Sequence, residues 1–201
     1  MNDREYILTF LNDAKTIIDA IDQKQIAQMI TILSDVREKE GRLFVLGVGG
    51  GAGHASHCVN DFRKIAGIES YAPTDNVSEL TARVNDDGWE TVFKNWLVTS
   101  RLHSNDCIFV FSVGGGSVSK NISVNLVNAL QYAKEIGSKI IGVVGRDGGY
   151  TAQVANACVI IPTVDVNTVT PQTEAFQAVI WHLIVSSPAI QKYDMKWERS
   201  V

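Results

Sequence analysis

His57 and Asp61 stand four residues apart in His54–Ala66, a stretch whose apolar spacing predicts a helix. Both side chains therefore leave one face, with His54 a turn earlier. An imidazole and a carboxylate so placed can bind a metal ion or move protons. On an isolated helix the same pair also serves as a plain surface hydrogen bond. Glu174 and His182 share a second predicted helix, built on the apolar run Phe176–Val185, with Thr170 read as its N-cap and Pro171 as its first residue. Their separation is about 12 Å of helix rise, so both can line one groove, but both must lean inward to hold one ion. His182 alone also fits a core histidine, and Trp181 and Phe176 read as packing residues.

Two glycine-rich turns follow predicted strands. The first, Gly47-Val48-Gly49-Gly50-Gly51-Ala52-Gly53, lets backbone approach a ligand closely. Gly47, Gly49 and Ala52 satisfy a dinucleotide fingerprint, but the acid expected about 20 residues later would be Glu69, at the start of a weak strand rather than the end of a firm one. No nucleotide cofactor is expected. The second turn, Ser112-Val113-Gly114-Gly115-Gly116-Ser117, suits an anion. Backbone amides at a helix N-terminus converge on negative charge, and Ser112 and Ser117 add hydroxyl donors. No GK[ST] follows, which points to a monophosphate ester rather than a triphosphate. The competing reading is a tight turn with Ser117 as helix N-cap.

The elements that must position these residues alternate. Arg42–Val48, Cys107–Ser112, Lys139–Val144 and Cys158–Pro162 are short, β-branched or aromatic runs that read as buried parallel strands, with a weaker one near Glu69–Pro73. Helical patterns lie between them at His54–Ala66, Val77–Val84, Trp89–Leu102, Val118–Ile136 and Gly149–Ala155. This predicts a three-layer α/β/α doubly wound parallel sheet. Residues 1–40 read as a helical hairpin, whose apolar faces between Tyr6 and Val36 need cover that a second copy of the chain would supply. Residues 41–201 then form the ligand-binding domain.

At 201 residues, 45% hydrophobic and 20% charged, the chain fits one α/β domain with a helical extension. A net charge of −4 offers no basic field, which argues against nucleic acid. Cys58, Cys107 and Cys158 have no CxxC spacing and are expected as free thiols. The charged N-terminus reads as neither signal peptide nor anchor, and the longest apolar run near the C-terminus, Ala178–Val185, is far short of the roughly 20 residues a membrane span needs. A cytoplasmic protein without membrane contact is expected.

Taken in order, the first glycine turn with His57 and Asp61, Asn85-Asp86-Asp87-Gly88, the serine–glycine turn, Gly145-Arg146-Asp147-Gly148-Gly149 and Glu174 with His182 resemble the sugar isomerase (SIS) domain. Within it the phosphoheptose isomerases are the nearest likeness. The resemblance covers nearly the whole chain. It implies a flavodoxin-like sheet, a homotetramer with sites between subunits, and conversion of sedoheptulose 7-phosphate to an aldoheptose 7-phosphate through an enediol. By motif, Asp61 takes the place of a glutamate base and His182 of a histidine acid. Ser112, Gly114, Gly115, Gly116 and Ser117 match the phosphate loop, Gly49, Gly50 and Gly51 the first loop, and Asp86 an aspartate near the sugar hydroxyls. His57, Asp61, Glu174 and His182 match a zinc set.

Departures from the pattern are Val48 for asparagine, Gly51 for serine, Val113 and Gly114 for threonine and serine, and Glu174 for glutamine. Polar donors are lost from both loops, and Asp61 is one methylene shorter than glutamate. Two other functions fit the same residues: a non-catalytic SIS regulator that senses a phosphosugar or binds a protein, and a metal-dependent enzyme acting on another phosphosugar.

Overall fold

Successive strand residues point to opposite sides, and in this chain both sides are apolar. In the computed structural model, which describes residues 1–195, β1 (Leu43–Gly47), β2 (Ser70–Tyr71), β3 (Cys107–Ser112), β4 (Lys139–Val144) and β5 (Ala157–Ile160) form one sheet. The order is β2-β1-β3-β4-β5 and every pairing is parallel. Val45, Phe109, Phe111 and Val143 face one core and Phe44, Leu46, Ile108 and Val110 the other.

The first core is closed by α1 (Asp3–Ala20), α2 (Gln23–Glu38), α3 (Gly50–Asp61) and α8 (Val169–Val185), through residues such as Ile17, Met29, Leu33 and Ile180. The second is closed by α5 (Val92–Thr99) and α6 (Val124–Ile136), with α4 (Val77–Asp87) and α7 (Gly149–Val154) packed at its margin. This is the doubly wound arrangement predicted, in the flavodoxin-like order. Its strand order reverses between β1 and β3, and the crevice beyond the C-terminal ends of those strands is where such sheets take ligands. Both glycine turns lie there.

The structure corrects the sequence reading at several places. The helix predicted from Val118 begins only at Val124, and residues 117–123 form a loop closed by a Ser117–Ile122 bridge. Ser117 is therefore not an N-cap. Thr168, not Thr170, precedes α8, so Pro171 falls within the first turn, where its missing N–H has no intrahelical role. Residues Trp89–Leu102 yield helix only at α5. The helix holding His57 starts at Gly50 and closes in a π turn, Phe62–Ala66, directly after Asp61.

The N-terminal hairpin divides in its packing. Met29 and Leu33 of α2 are fully buried by the chain's own sheet, while α1 leaves Ile7, Leu8, Leu11 and Ile18 more than half exposed. Cover from outside is thus needed by α1 and not by α2. No helix among the described residues is long and apolar enough to cross a membrane.

All three cysteines are free. Burial pushes the Cys107 thiol far above its ordinary range and that of Cys158 up to about 12. A raised thiol pKa leaves almost no thiolate at pH 8, so Ellman's reagent is expected to be nearly silent on the native protein and to report all three thiols in guanidinium. Fast reaction of more than one thiol in the native state would contradict this burial.

Candidate active site

Helices α3 and α8 run side by side, and one stripe of each carries nearly every polar side chain of interest. At the start of the seam the Glu174 carboxylate lies over Gly50, so close that a Cβ there would stand 2.4 Å from Oε1. A turn further on, His54 Nδ1 is 2.9 Å from Gln177 Oε1, and the amide of Gln177 donates to the Val143 carbonyl. At the far end His57 and Asp61 meet Trp181 and His182. Helical spacing of three, four and seven residues on both helices produces this register.

Asp61 is the centre of that last group. It is only 1% exposed, and accepts from the Trp181 indole at 3.2 Å on Oδ2 and from the Asn60 amide at 3.0 Å on Oδ1. His57 Nε2 and His182 Nε2 stand 3.5 and 3.4 Å from the same Oδ2, and both rings reach solvent. His182 Nδ1 is 2.8 Å from the Ala178 carbonyl, an acceptor only, so Nδ1 carries the hydrogen. In the neutral ring Nε2 is then a lone pair facing a carboxylate oxygen, a repulsive pairing unless a proton or a cation stands between. Burial, then the nearby Asp61 charge, pushes the adjacent Cys58 thiol well above its ordinary value.

The chemistry of these donors fits a zinc ion. Two imidazole nitrogens and one carboxylate oxygen lie within 4.8 Å of one another. Ligand atoms around a tetrahedral zinc, with bonds of about 2.0–2.2 Å, are separated by about 3.3–3.5 Å, close to the nitrogen–oxygen distances here. The Ala178 carbonyl supplies the outer hydrogen bond that orients a ligating histidine. Glu174 is not part of this group. It sits at the opposite end of the seam, about 12 Å of helix rise away, so one chain gathers three of the four residues matched to zinc.

Glu174 instead lines a cavity of about 190 Å³ with Gly51, Ser112, Gly114 and Gln177. A larger one of about 760 Å³ adjoins it, sharing Val113, Gly114 and Ser123, and extends past Gly116 and Ser117. Gly115 presses against the turn before α7, and the carbonyls of Gly115 and Gly116 accept from the Thr151 and Tyr150 amides. Gly49 and Gly50 cap α3 beside these cavities. His57, Asp61 and His182 line neither cavity. Asp86 lines neither as well; it is exposed and accepts from Asn85 at the end of α4.

Some site residues escaped the sequence reading. Trp181 packs as expected yet also holds Asp61, a role signalled by the rule that a buried indole N–H finds a partner. Gln177 and His54 join the cavity to the Asp61 cluster through Trp181, whose ring centroid is 5.1 Å from that of His54. Lys120 and Arg146 line the larger cavity. Lys120 had no recognisable spacing to a known partner, and Arg146 was read only as part of the Gly145-Arg146-Asp147-Gly148-Gly149 motif, without a role of its own.

Comparison with known proteins gives the family. The family described as the SIS domain matches residues 9–145. A phosphoheptose isomerase from Geotalea daltonii is 28% identical over 188 residues, covering 90% of this chain and 92% of that protein. Another from Aneurinibacillus thermoaerophilus is 28% identical over 194 residues, covering 92% and 91%. The solved phosphoheptose isomerase of Neisseria gonorrhoeae superposes with a TM-score of 0.77 at 21% identity, covering 90% of this chain and 96% of its own. With the strand order, the paired glycine turns and a match over more than half its length, the chain belongs to the SIS domain family.

Proposed function

We propose that this protein is a sugar-phosphate isomerase converting a ketose phosphate, with sedoheptulose 7-phosphate as the first candidate, into its aldose. One observation carries the reading: two exposed imidazoles converge on a single buried carboxylate at the end of a helix seam whose other end opens on the glycine-turn cavities. The reaction needs a proton removed from C1 of the ketose, an enediol, and a proton delivered to C2 while the two oxygens exchange theirs. Asp61 and His182 act as one proton-transfer unit, in which the His182 ring exchanges the proton with substrate and Asp61 acts through that ring. Burial of Asp61 makes the His182 ring, with His57, the surface that meets substrate, and Asp61 the anion that holds both rings in place. The Ser112–Ser117 turn takes the ester end.

His57, Asp61 and His182 would alternatively hold zinc, with Glu174 from a second subunit as the natural fourth donor. His182 would then be a ligand rather than a proton carrier, because Nδ1 is held by the Ala178 carbonyl and Nε2 would be on the metal. When bound, such an ion supplies Lewis-acid polarisation of an oxygen ligand. Assembly also explains how the cluster and the cavities, which do not meet within one chain, serve one substrate. The exposed face of α1 continues into an apolar groove of about 360 Å³ between α2 and α8, lined by Ile18, Ile30, Val179 and Leu183. We read this as the contact of a homotetramer, in a cytoplasmic enzyme that keeps its thiols reduced. Leu8→Glu with Leu11→Glu is expected to lower the sedimenting mass to a smaller species, and unchanged mass would remove α1 from the interface.

The deciding assay incubates the protein with sedoheptulose 7-phosphate in D2O. Aldose carrying deuterium at C2 is expected. If no aldose forms from a panel of ketose phosphates, with zinc added and with chelator, the isomerase reading fails.

A further inference from the structure

We infer that the charge of the phosphate ester is met by two side chains that line the larger cavity, Lys120 and Arg146, in addition to the glycine turn and the start of α6. The inference rests on the proposed sugar-phosphate ligand and identifies what binds its anionic end. Helix α6 starts at Val124, after the 117–123 loop, and its N-cap Ser123, which makes no side-chain cap bond, lines both cavities, so the positive end of α6 contributes to the site without supplying a full charge. Two amides of the turn are already engaged: Gly115 donates to Ser112 Oγ at 3.0 Å and Ser117 to the Ile122 carbonyl at 2.9 Å. The polar residues that the loops have lost leave a further deficit of donors at Val113 and Gly114.

The 117–123 loop supplies positive charge at this place. Lys120 and Ser119 of this loop line the cavity together with Arg146 and Tyr150. Among the described residues neither Lys120 nor Arg146 enters an ion pair. Arg146 has a left-handed backbone, φ 53°, and its Cδ would lie 4.0 Å from a Cβ on Gly114, so its stem crosses the glycine turn. A branched-off arginine in that conformation is costly, and such strain concentrates where a side chain must be aimed at a ligand. The one carboxylate beside it, Asp147, turns Oδ1 back onto the Gly149 amide at 3.2 Å. A cavity of about 760 Å³ exceeds a phosphate and leaves room for the sugar chain. The substrate class is therefore a monoester dianion bound through a guanidinium and an ammonium.

Calorimetric titration with inorganic phosphate and steady-state kinetics with sedoheptulose 7-phosphate test this on the wild type, Arg146→Gln, Lys120→Gln and Arg146→Lys. Each glutamine variant is expected to weaken phosphate binding and raise KM by about tenfold or more, with kcat changed by less than about twofold. Arg146→Lys, which keeps the charge and loses the fork, is expected to fall between. Unchanged KM and phosphate affinity in both glutamine variants overturn the inference even if the wild type isomerises the sugar. So does a wild type that binds no phosphate. Conversely, phosphate binding that depends on Arg146 and Lys120 in a protein without turnover sustains the inference while the isomerase reading falls.

Discussion

Asp61→Asn is expected to lower kcat by about 10²- to 10⁴-fold, and His182→Gln by a similar factor, because each removes one member of a pair that moves the same proton. The asparagine keeps an oxygen to accept the Trp181 indole, so folding is preserved while the charge between the two imidazoles is lost. KM is expected to shift only a fewfold, since neither side chain lines the cavities that hold the ester. The double variant is expected to be no slower than the slower single one, as groups acting as one unit are not additive. Zinc retained per chain, measured by mass spectrometry, is expected to fall in both variants. Wild-type kcat in both single variants would remove Asp61 and His182 from the chemistry.

Much of this was legible in the sequence, for identifiable reasons. Strands β3 and β4 matched their apolar runs residue for residue, because a strand buried on both faces is a continuous apolar stretch ended by Gly, Ser or Asn. His57 and Asp61 were found together because a four-residue helical spacing is a local property. Their convergence with His182 was not local: it depends on α3 and α8 running side by side, which no spacing within either helix encodes. The family likeness supplied it. The start of α6 was missed because Val118–Ile136 keeps a helical apolar pattern through residues that instead adopt left-handed backbone at Asn121 and Ser123. Periodicity does not register a conformation that only hydrogen bonds such as Ser117 to Ile122 make worthwhile. Glu174 was grouped with zinc by motif, and the rise of one rigid helix separates it from the cluster within a single chain.

Gly115→Ala is expected to cost about 3–4 kcal/mol of stability, from a left-handed backbone worth about 1–2 kcal/mol and the loss of two hydrogen bonds worth about 1 kcal/mol each. Gly115 has φ 67°, and a Cβ there would stand 1.9 Å from the backbone oxygen of Gly148. That oxygen cannot rotate away, because Gly148 and Gly149 lead directly into α7. The two turns must separate, releasing the bonds that Thr151 donates to the Gly115 carbonyl through its amide at 2.9 Å and its hydroxyl at 2.8 Å. A fall in Tm of about 10 °C is expected on this scale. Gly114→Ala is the control: its Cβ would meet only the flexible Arg146 stem, at 4.0 Å, so its Tm is expected to stay within a few degrees of wild type. Separation of the turns also moves Arg146 away from Lys120, so Gly115→Ala loses phosphate affinity at temperatures where it is still folded. Equal melting temperatures for the two variants would mean that the glycine turns are not in contact, and the anion cavity built on that contact would have to be abandoned.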